Sequence, residues 1–115
     1  MKRRTSHVVR GLGVDIVSIA RFRRIKKTDY KHWSRVFTKK EWAYAFEGGG
    51  HARRLAGMFA AKEAAMKAFG NAGAAHFLDF EISHAVSGTP SLNQKALVSI
   101  SHDERLAIAI VLAGV

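Results

Sequence analysis

The chain has 115 residues, 48% hydrophobic and 24% charged, and this composition excludes disorder and fits one domain spanning residues 1–115. Nineteen Lys and Arg against nine Asp and Glu give a net charge of +10, which points to a polyanionic partner: nucleic acid, an anionic membrane, a phosphorylated ligand or an acidic protein. With zero cysteines, disulfides, thiolate metal sites and a cysteine nucleophile are excluded, and the sequence shows no apolar run of about 18 residues that would cross a membrane. The basic start Met1–Arg4 is followed by Gly11, Gly13 and Asp15 rather than by an unbroken apolar stretch, so a cytoplasmic protein is expected.

Residues 8–17 alternate Leu12, Val14 and Ile16 with Gly11, Gly13 and Asp15, the period of a strand. The apolar set is expected to face the core, with Asp15 on the small-residue side. Ser18 then reads as the cap of a short basic helix carrying Arg21, Phe22 and Ile25. Thr38 and Glu41 have capping-box spacing and open a helix through Trp42 and Phe46 that ends at Gly48-Gly49-Gly50. A longer helix is expected over 52–69, with Leu55, Met58, Phe59, Met66 and Phe69 near one face and Gly70 as its stop signal.

Beyond it the period changes. Residues 78–82 alternate as a strand with one wet face, Gly88-Thr89-Pro90 is a turn into a short strand at Ser91-Leu92, and 97–101 pairs with 105–112 as a hairpin. The expected fold class is α+β: a small antiparallel sheet packed against a long helix.

Three groups of residues carry candidate chemistry. Glu63 and Lys67 lie one helical turn apart, a spacing that also fits an exposed salt bridge worth a few tenths of a kcal/mol. The small apolar residues from Phe59 to Met66 favour partial burial instead, and a buried carboxylate needs a cation or hydrogen bonds. Asp15, between Val14 and Ile16, is either a helix cap or the second of two carboxylates converging on a hard cation. Magnesium takes few carboxylates and completes its shell with water and phosphate oxygens, so two acids and a lysine suit a metal-bound diphosphate. The third group is Ser99-Ile100-Ser101-His102, where a histidine at a strand end is more often a surface residue than a catalyst. His7, His51, His76 and His84 rank below it.

These residues also form a larger pattern. Gly11-Leu12-Gly13-Val14-Asp15-Ile16-Val17 with Ala20-Arg21-Phe22, then Phe37-Thr38 with Glu41, resembles the opening of the holo-acyl-carrier-protein synthases, a 4′-phosphopantetheinyl transferase family. Leu55-Ala56-Gly57-Met58-Phe59-Ala60-Ala61-Lys62-Glu63-Ala64, with Lys67-Ala68, resembles that family's signature helix. Ser99, Ser101-His102-Asp103, Ala107 and Ala109 resemble its C-terminal motif. The four motifs keep the family's order and cover nearly the whole chain.

The resemblance implies transfer of 4′-phosphopantetheine from coenzyme A to a serine of an acyl carrier protein, releasing adenosine 3′,5′-bisphosphate. It implies that Asp15 and Glu63 hold magnesium, that Lys67 contacts the phosphates, and that Ser101 and His102 line the coenzyme A site. Catalytic roles are thereby expected for Glu63, Lys67 and His102. It also implies that Gly88 and Pro90 shape the nucleotide pocket, that Arg21 docks the acidic helix of the carrier protein, and that the chain forms a homotrimer. The proton of the serine hydroxyl then goes to Glu63 or to a metal-bound water. Two departures stand out: Met58 replaces a basic residue, with Arg53 and Arg54 one turn earlier, and the stretch from Pro90 to Ser99 is short.

Two competing readings remain. A nucleic-acid-binding module would use the cluster Arg21, Arg23, Arg24, Lys26 and Lys27, but needs exposed stacking side chains, for which Tyr30 and Trp33 are the candidates. A catalytically impaired paralogue would bind carrier protein or nucleotide as a scaffold, a role that does not require two acids aimed at one cation.

Overall fold

A computed structural model describes residues 8–70 and 76–114. The basic start Met1–Arg4 and His7 lie outside the described residues. A three-stranded antiparallel sheet has the order β1 (Gly11–Ser18), β5 (Leu106–Ala113) and β4 (Ala96–His102), with β5 hydrogen-bonded on both edges. A separate hairpin pairs β2 (Ile82–His84) with β3 (Pro90–Leu92). Three helices, α1 (Tyr30–Trp33), α2 (Lys39–Ala45) and α3 (His51–Phe69), complete the α+β fold.

The long helix α3 lies across the sheet, and glycine decides how closely. A Cβ added to Gly13 would stand 1.8 Å from the Ala64 carbonyl oxygen, and one added to Gly11 would stand 1.7 Å from that of Ala68. Ala64 and Ala68 are one turn apart, so two alternate glycines on β1 meet two successive turns of α3 backbone to backbone. β5 contributes Ala107, Ala109, Val111 and Ala113 to the same face, all buried. At Gly11 and Gly13 only hydrogen fits between strand and helix.

This reverses the expected orientation of β1. Leu12, Val14 and Ile16 point away from α3 and are 65%, 48% and 59% exposed, while Gly13 and Val17 are buried. Alternation separates two faces but does not say which is inside, and here the close approach of α3 excludes the larger set. Asp15 shares the inner face, as expected of the small-residue side.

The Thr38–Glu41 capping box forms in full: Thr38 N donates to Glu41 Oε1 (2.8 Å) and Glu41 N donates to Thr38 Oγ1 (3.2 Å). Gly70 ends α3 at φ 65°, a conformation that glycine adopts without strain. Other expectations fail locally. Among the described residues Ser18 makes no side-chain cap bond, and Ile19–Phe22 is a single 3-10 turn. Asp79 and Phe80 belong to a turn that begins at Phe77, and the strand starts only at Ile82. The apolar side chains of α3 are not confined to one stripe, because α2, the aromatic cluster and the sheet cover it on several sides and bury Leu55 through Lys62.

Phe22, Phe37, Trp42 and Phe59 pack between α2, α3 and the segment that follows β1, with Phe22 5.6 Å from Phe59 centre to centre. Tyr30 and Trp33 pack on the same core, and the Tyr30 hydroxyl donates to the Phe37 carbonyl (3.0 Å). The basic segment therefore uses its aromatic rings internally rather than as a stacking platform. β3 reaches β4 through Asn93, Gln94 and Lys95, consistent with the short stretch after Pro90.

Candidate active site

Asp15 and Glu63 come from β1 and α3 and meet beside Lys67. The Lys67 ammonium donates to the Val14 carbonyl (3.0 Å) and lies 3.4 Å from Asp15 Oδ1, so the lysine bridges helix and strand. Its side chain remains about half exposed and that of Asp15 is 15% exposed, which leaves the group open to a ligand. Partial burial pushes the Glu63 carboxyl above its usual range. The like charge of Asp15 adds to this rise, and Lys67 and Arg21 oppose it. A partly buried Glu63 beside the charge of Asp15, with a lysine alongside, forms a set that a divalent cation would relieve. Arg21 is stacked over the rings of Phe59 (5.2 Å) and Phe22 (5.7 Å), which fixes its guanidinium near Glu63.

A second group sits nearer the N-terminal half of α3. Tyr44, Arg53, Arg54, Met58, His84 and His102, with Gly88 and Pro90 at one wall, enclose an open cavity of about 270 Å³. Gly88 occupies φ 92° in the turn that joins β2 to β3, where its N–H donates to the Ala85 carbonyl (2.8 Å), a geometry that favours glycine. Gly57 forms part of the floor; a Cβ there would lie 3.0 Å from the Ile100 side chain. The His84 ring stacks on Tyr44 at 4.0 Å with 7° between planes, and the Arg54 guanidinium covers Tyr44 at 4.5 Å. Arg54 also donates to the Tyr44 and Glu47 carbonyls, both at 2.7 Å.

Gly88, Pro90 and His102 are thus brought together, and so are Asp15, Glu63 and Lys67. The two groups are separate on this chain: from Gly57 to Glu63 the helix rises about 9 Å. Ser101 faces the other way, on the outer side of the sheet, in a recess with Ile16, Leu106 and Ile108. His102, at the strand end, borders both the cavity and this recess.

Reading the sequence singled out neither Tyr44 nor Lys62, and ranked His84 low. Tyr44 and His84 lie 40 residues apart in sequence and only the fold stacks them. Lys62 had a visible signal, since it stands in the apolar run from Phe59 to Met66 together with Glu63. The buried member of that pair is Lys62, fully enclosed, whereas Glu63 is only partly buried. Arg53 and Arg54, one turn before Met58, do line the cavity.

The 4′-phosphopantetheinyl transferase superfamily profile matches residues 11–111, the span that carries both groups. A holo-[acyl-carrier-protein] synthase of Thermodesulfovibrio yellowstonii is 34% identical over 110 residues, covering 90% of this chain and 97% of that protein. Among solved structures, the Bacillus anthracis holo-(acyl-carrier-protein) synthase in complex with CoA (3′,5′-ADP) superposes with a TM-score of 0.72 at 35% identity, covering 90% of this chain and 94% of that one. The Helicobacter pylori holo-[acyl-carrier-protein] synthase in complex with coenzyme A does so at 0.70 and 32%, covering 88% and 97%. The chain belongs to the 4′-phosphopantetheinyl transferase superfamily and is an enzyme of the holo-[acyl-carrier-protein] synthase type.

Proposed function

We propose that this enzyme transfers 4′-phosphopantetheine from coenzyme A to a serine of an acyl carrier protein in a magnesium-dependent reaction, with adenosine 3′,5′-bisphosphate as the leaving group. The observation that carries the reading is the meeting of Asp15 and Glu63 beside Lys67 in a chain of this family. The donor set suits a magnesium ion. Among the described residues no three His, Asp or Glu side chains gather into a metal cluster, and two carboxylates leave the remaining positions to water and phosphate oxygens. Bound there, magnesium would offset charge on the diphosphate and favour departure of the bisphosphate.

The protein's own groups then have distinct tasks. The serine hydroxyl of the carrier attacks the phosphorus that bears pantetheine, and the bond from that phosphorus to the bisphosphate oxygen breaks. Lys67 supplies a point charge to the diphosphate once it exchanges its contact with Asp15 for phosphate oxygen. The carboxyl of Glu63, already inclined to hold a proton, accepts the hydroxyl proton directly or through a water that it orients. Gly88, Pro90 and His102 form walls for the nucleotide, and Arg53 and Arg54 take the phosphate contact that Met58 does not supply.

Arg21 docks the acidic carrier protein. Its guanidinium is held on Phe59 close to Glu63, so a carrier engaging it delivers serine to the acids, and the net charge of +10 speeds that encounter. The uncovered apolar face of the sheet supports assembly into the homotrimer. Ser101 and His102 border that face, so a neighbouring subunit there completes the coenzyme A site. No described helix is long and apolar enough to cross a membrane. We assign the enzyme to the cytoplasm and to fatty acid biosynthesis.

The test is incubation with coenzyme A, magnesium and an apo-carrier protein, read by intact-protein mass spectrometry. A gain of one phosphopantetheine group, abolished by a chelator and restored by magnesium, is expected. An unmodified carrier at saturating coenzyme A would instead favour the scaffold reading, and tight binding of an oligonucleotide without binding of coenzyme A would favour the nucleic-acid module.

A further inference from the structure

Lys62 and Glu41 form an ion pair at 2.8 Å, and both side chains are wholly enclosed. The mechanism above uses neither. Every polar atom of the pair is satisfied. The Lys62 ammonium donates to Glu41 Oε1, to the Phe80 carbonyl (2.7 Å) and to the Phe77 carbonyl (3.0 Å), which uses its three protons. Glu41 Oε1 also accepts from Thr38 N, and Oε2 accepts from Ile82 N (2.8 Å). Five hydrogen bonds therefore join the start of α2, the middle of α3, the carbonyls of Phe77 and Phe80 and the first residue of β2.

A pair of this kind is a poor source of net stability, because removing two charges from water costs about as much as their attraction returns. What it does provide is geometry, since each bond has one length and one direction. The elements it joins are the walls of the cavity. α2 carries Tyr44, the β2–β3 hairpin carries His84, Gly88 and Pro90, and α3 carries Arg53, Arg54 and Met58. The hairpin belongs to a sheet separate from β1, β5 and β4, so sheet hydrogen bonds do not fix it against α3. Lys62 also precedes Glu63 on the helix, so the same anchor sets the cavity relative to the acids.

We propose that the buried Lys62–Glu41 pair is a positioning device that holds α2 and the β2–β3 hairpin against α3 and thereby sets the shape of the nucleotide cavity. The inference rests on the transferase reading for the identity of the ligand. Lys62 and Glu41 touch neither substrate nor metal; they act through the walls that they hold in place.

The double variant Lys62→Met/Glu41→Gln removes both charges together, so no lone charge is left buried, and it retains an amide oxygen for the Ile82 N–H. KM for coenzyme A and Kd for adenosine 3′,5′-bisphosphate should each rise about 10-fold or more, with kcat within about 3-fold of the parent. Amide exchange should quicken at Ile82, Ala85 and Gly88 but not along the middle of α3. Unchanged KM and Kd, or a loss confined to kcat, would overturn the proposal. Should the double variant fail to fold, Glu41→Asp, which keeps both charges but shortens the carboxylate's reach by one methylene, is read in the same way, with a smaller rise expected. If the parent enzyme itself does not bind the bisphosphate, the transferase reading fails. Amide exchange then decides the anchoring: faster exchange in the hairpin supports it and unchanged exchange overturns it.

Discussion

The two faces of the three-stranded sheet carry opposite kinds of side chain, and neither is hydrophilic. The face toward α3 is built from Gly11, Gly13, Val17, Ala107, Ala109, Val111 and Ala113, interrupted by Asp15. The face away from it carries Leu12, Val14, Ile16, Leu106, Ile108 and Ile110, left exposed on this chain. Size rather than polarity sorts them. Where the α3 backbone touches β1 at Gly11 and Gly13 only hydrogen fits, and Leu12, Val14 and Ile16 go to the side that a neighbouring molecule can cover. The single acid on the inner face is consequently held where α3 supplies its partners.

The contrast can be broken most severely at Gly13. Gly13→Val places two methyl groups where the Ala64 carbonyl already lies, and should cost more than about 3 kcal/mol, read as loss of the cooperative thermal transition. A valine on the outer face, Leu12→Val, should shift Tm by no more than a few degrees.

The next largest effect concerns the polar exception to the inner face. Asp15→Ala and Glu63→Ala should each lower magnesium-dependent transfer by about 100-fold or more while circular dichroism stays that of the parent. Glu63→Gln should lose activity yet melt slightly higher than the parent in chelator at pH 7. The raised carboxyl favours the protonated form in the folded state, so it loses stability as pH rises through its titration above the usual glutamate range. A lower Tm for Glu63→Gln would show that burial and the charge of Asp15 do not disfavour the ionised Glu63 carboxylate.

The outer face is probed by Ile108→Glu/Ile110→Glu. The fold should persist, the sedimentation coefficient should drop to that of a monomer, and activity should fall about 10-fold because Ser101 and His102 lose their neighbour. Retained assembly at micromolar concentration would remove the role assigned to that face.

The smallest effect lies away from the sheet and sharpens the comparison by using a half-buried base instead of a half-buried acid. Burial and the nearby Arg54 hold the His84 imidazole below its usual range; Tyr44 stacks on it, and Arg53 and His102 face the same cavity. The unfolded chain therefore binds more protons between the two titrations, and stability falls as pH is lowered through and below about 6.5. His84→Phe keeps the stack and should flatten that part of the Tm–pH curve without lowering Tm at pH 8.

Much of this architecture was legible in the residues. Thr38 with Glu41, Gly70 and the alternating runs mark the ends and periods of elements, which are local properties. The acids were found because ordered motifs surround them. What escaped was tertiary. The period of β1 cannot reveal which face α3 approaches, and the burial of Lys62 depends on a carboxylate 21 positions away together with carbonyls from a turn. The stack of Tyr44 on His84 likewise exists only after the hairpin closes.

The place of β5 in the centre of the sheet has a consequence for how the molecule is made. β1 emerges from the ribosome before β5, but among the described residues its hydrogen-bonded partner in the sheet is β5, with Gly11 opposite Ala113. At synthesis rates of about 5–20 residues per second the strand waits several seconds, its edges unpaired and one side rich in Leu, Val and Ile. Pairing of such distant segments is slow even after the chain is complete. Newly made molecules thus pass through an interval in which the apolar outer side of β1 is present while the sheet that organises it does not yet exist, and a holding chaperone would find its target there.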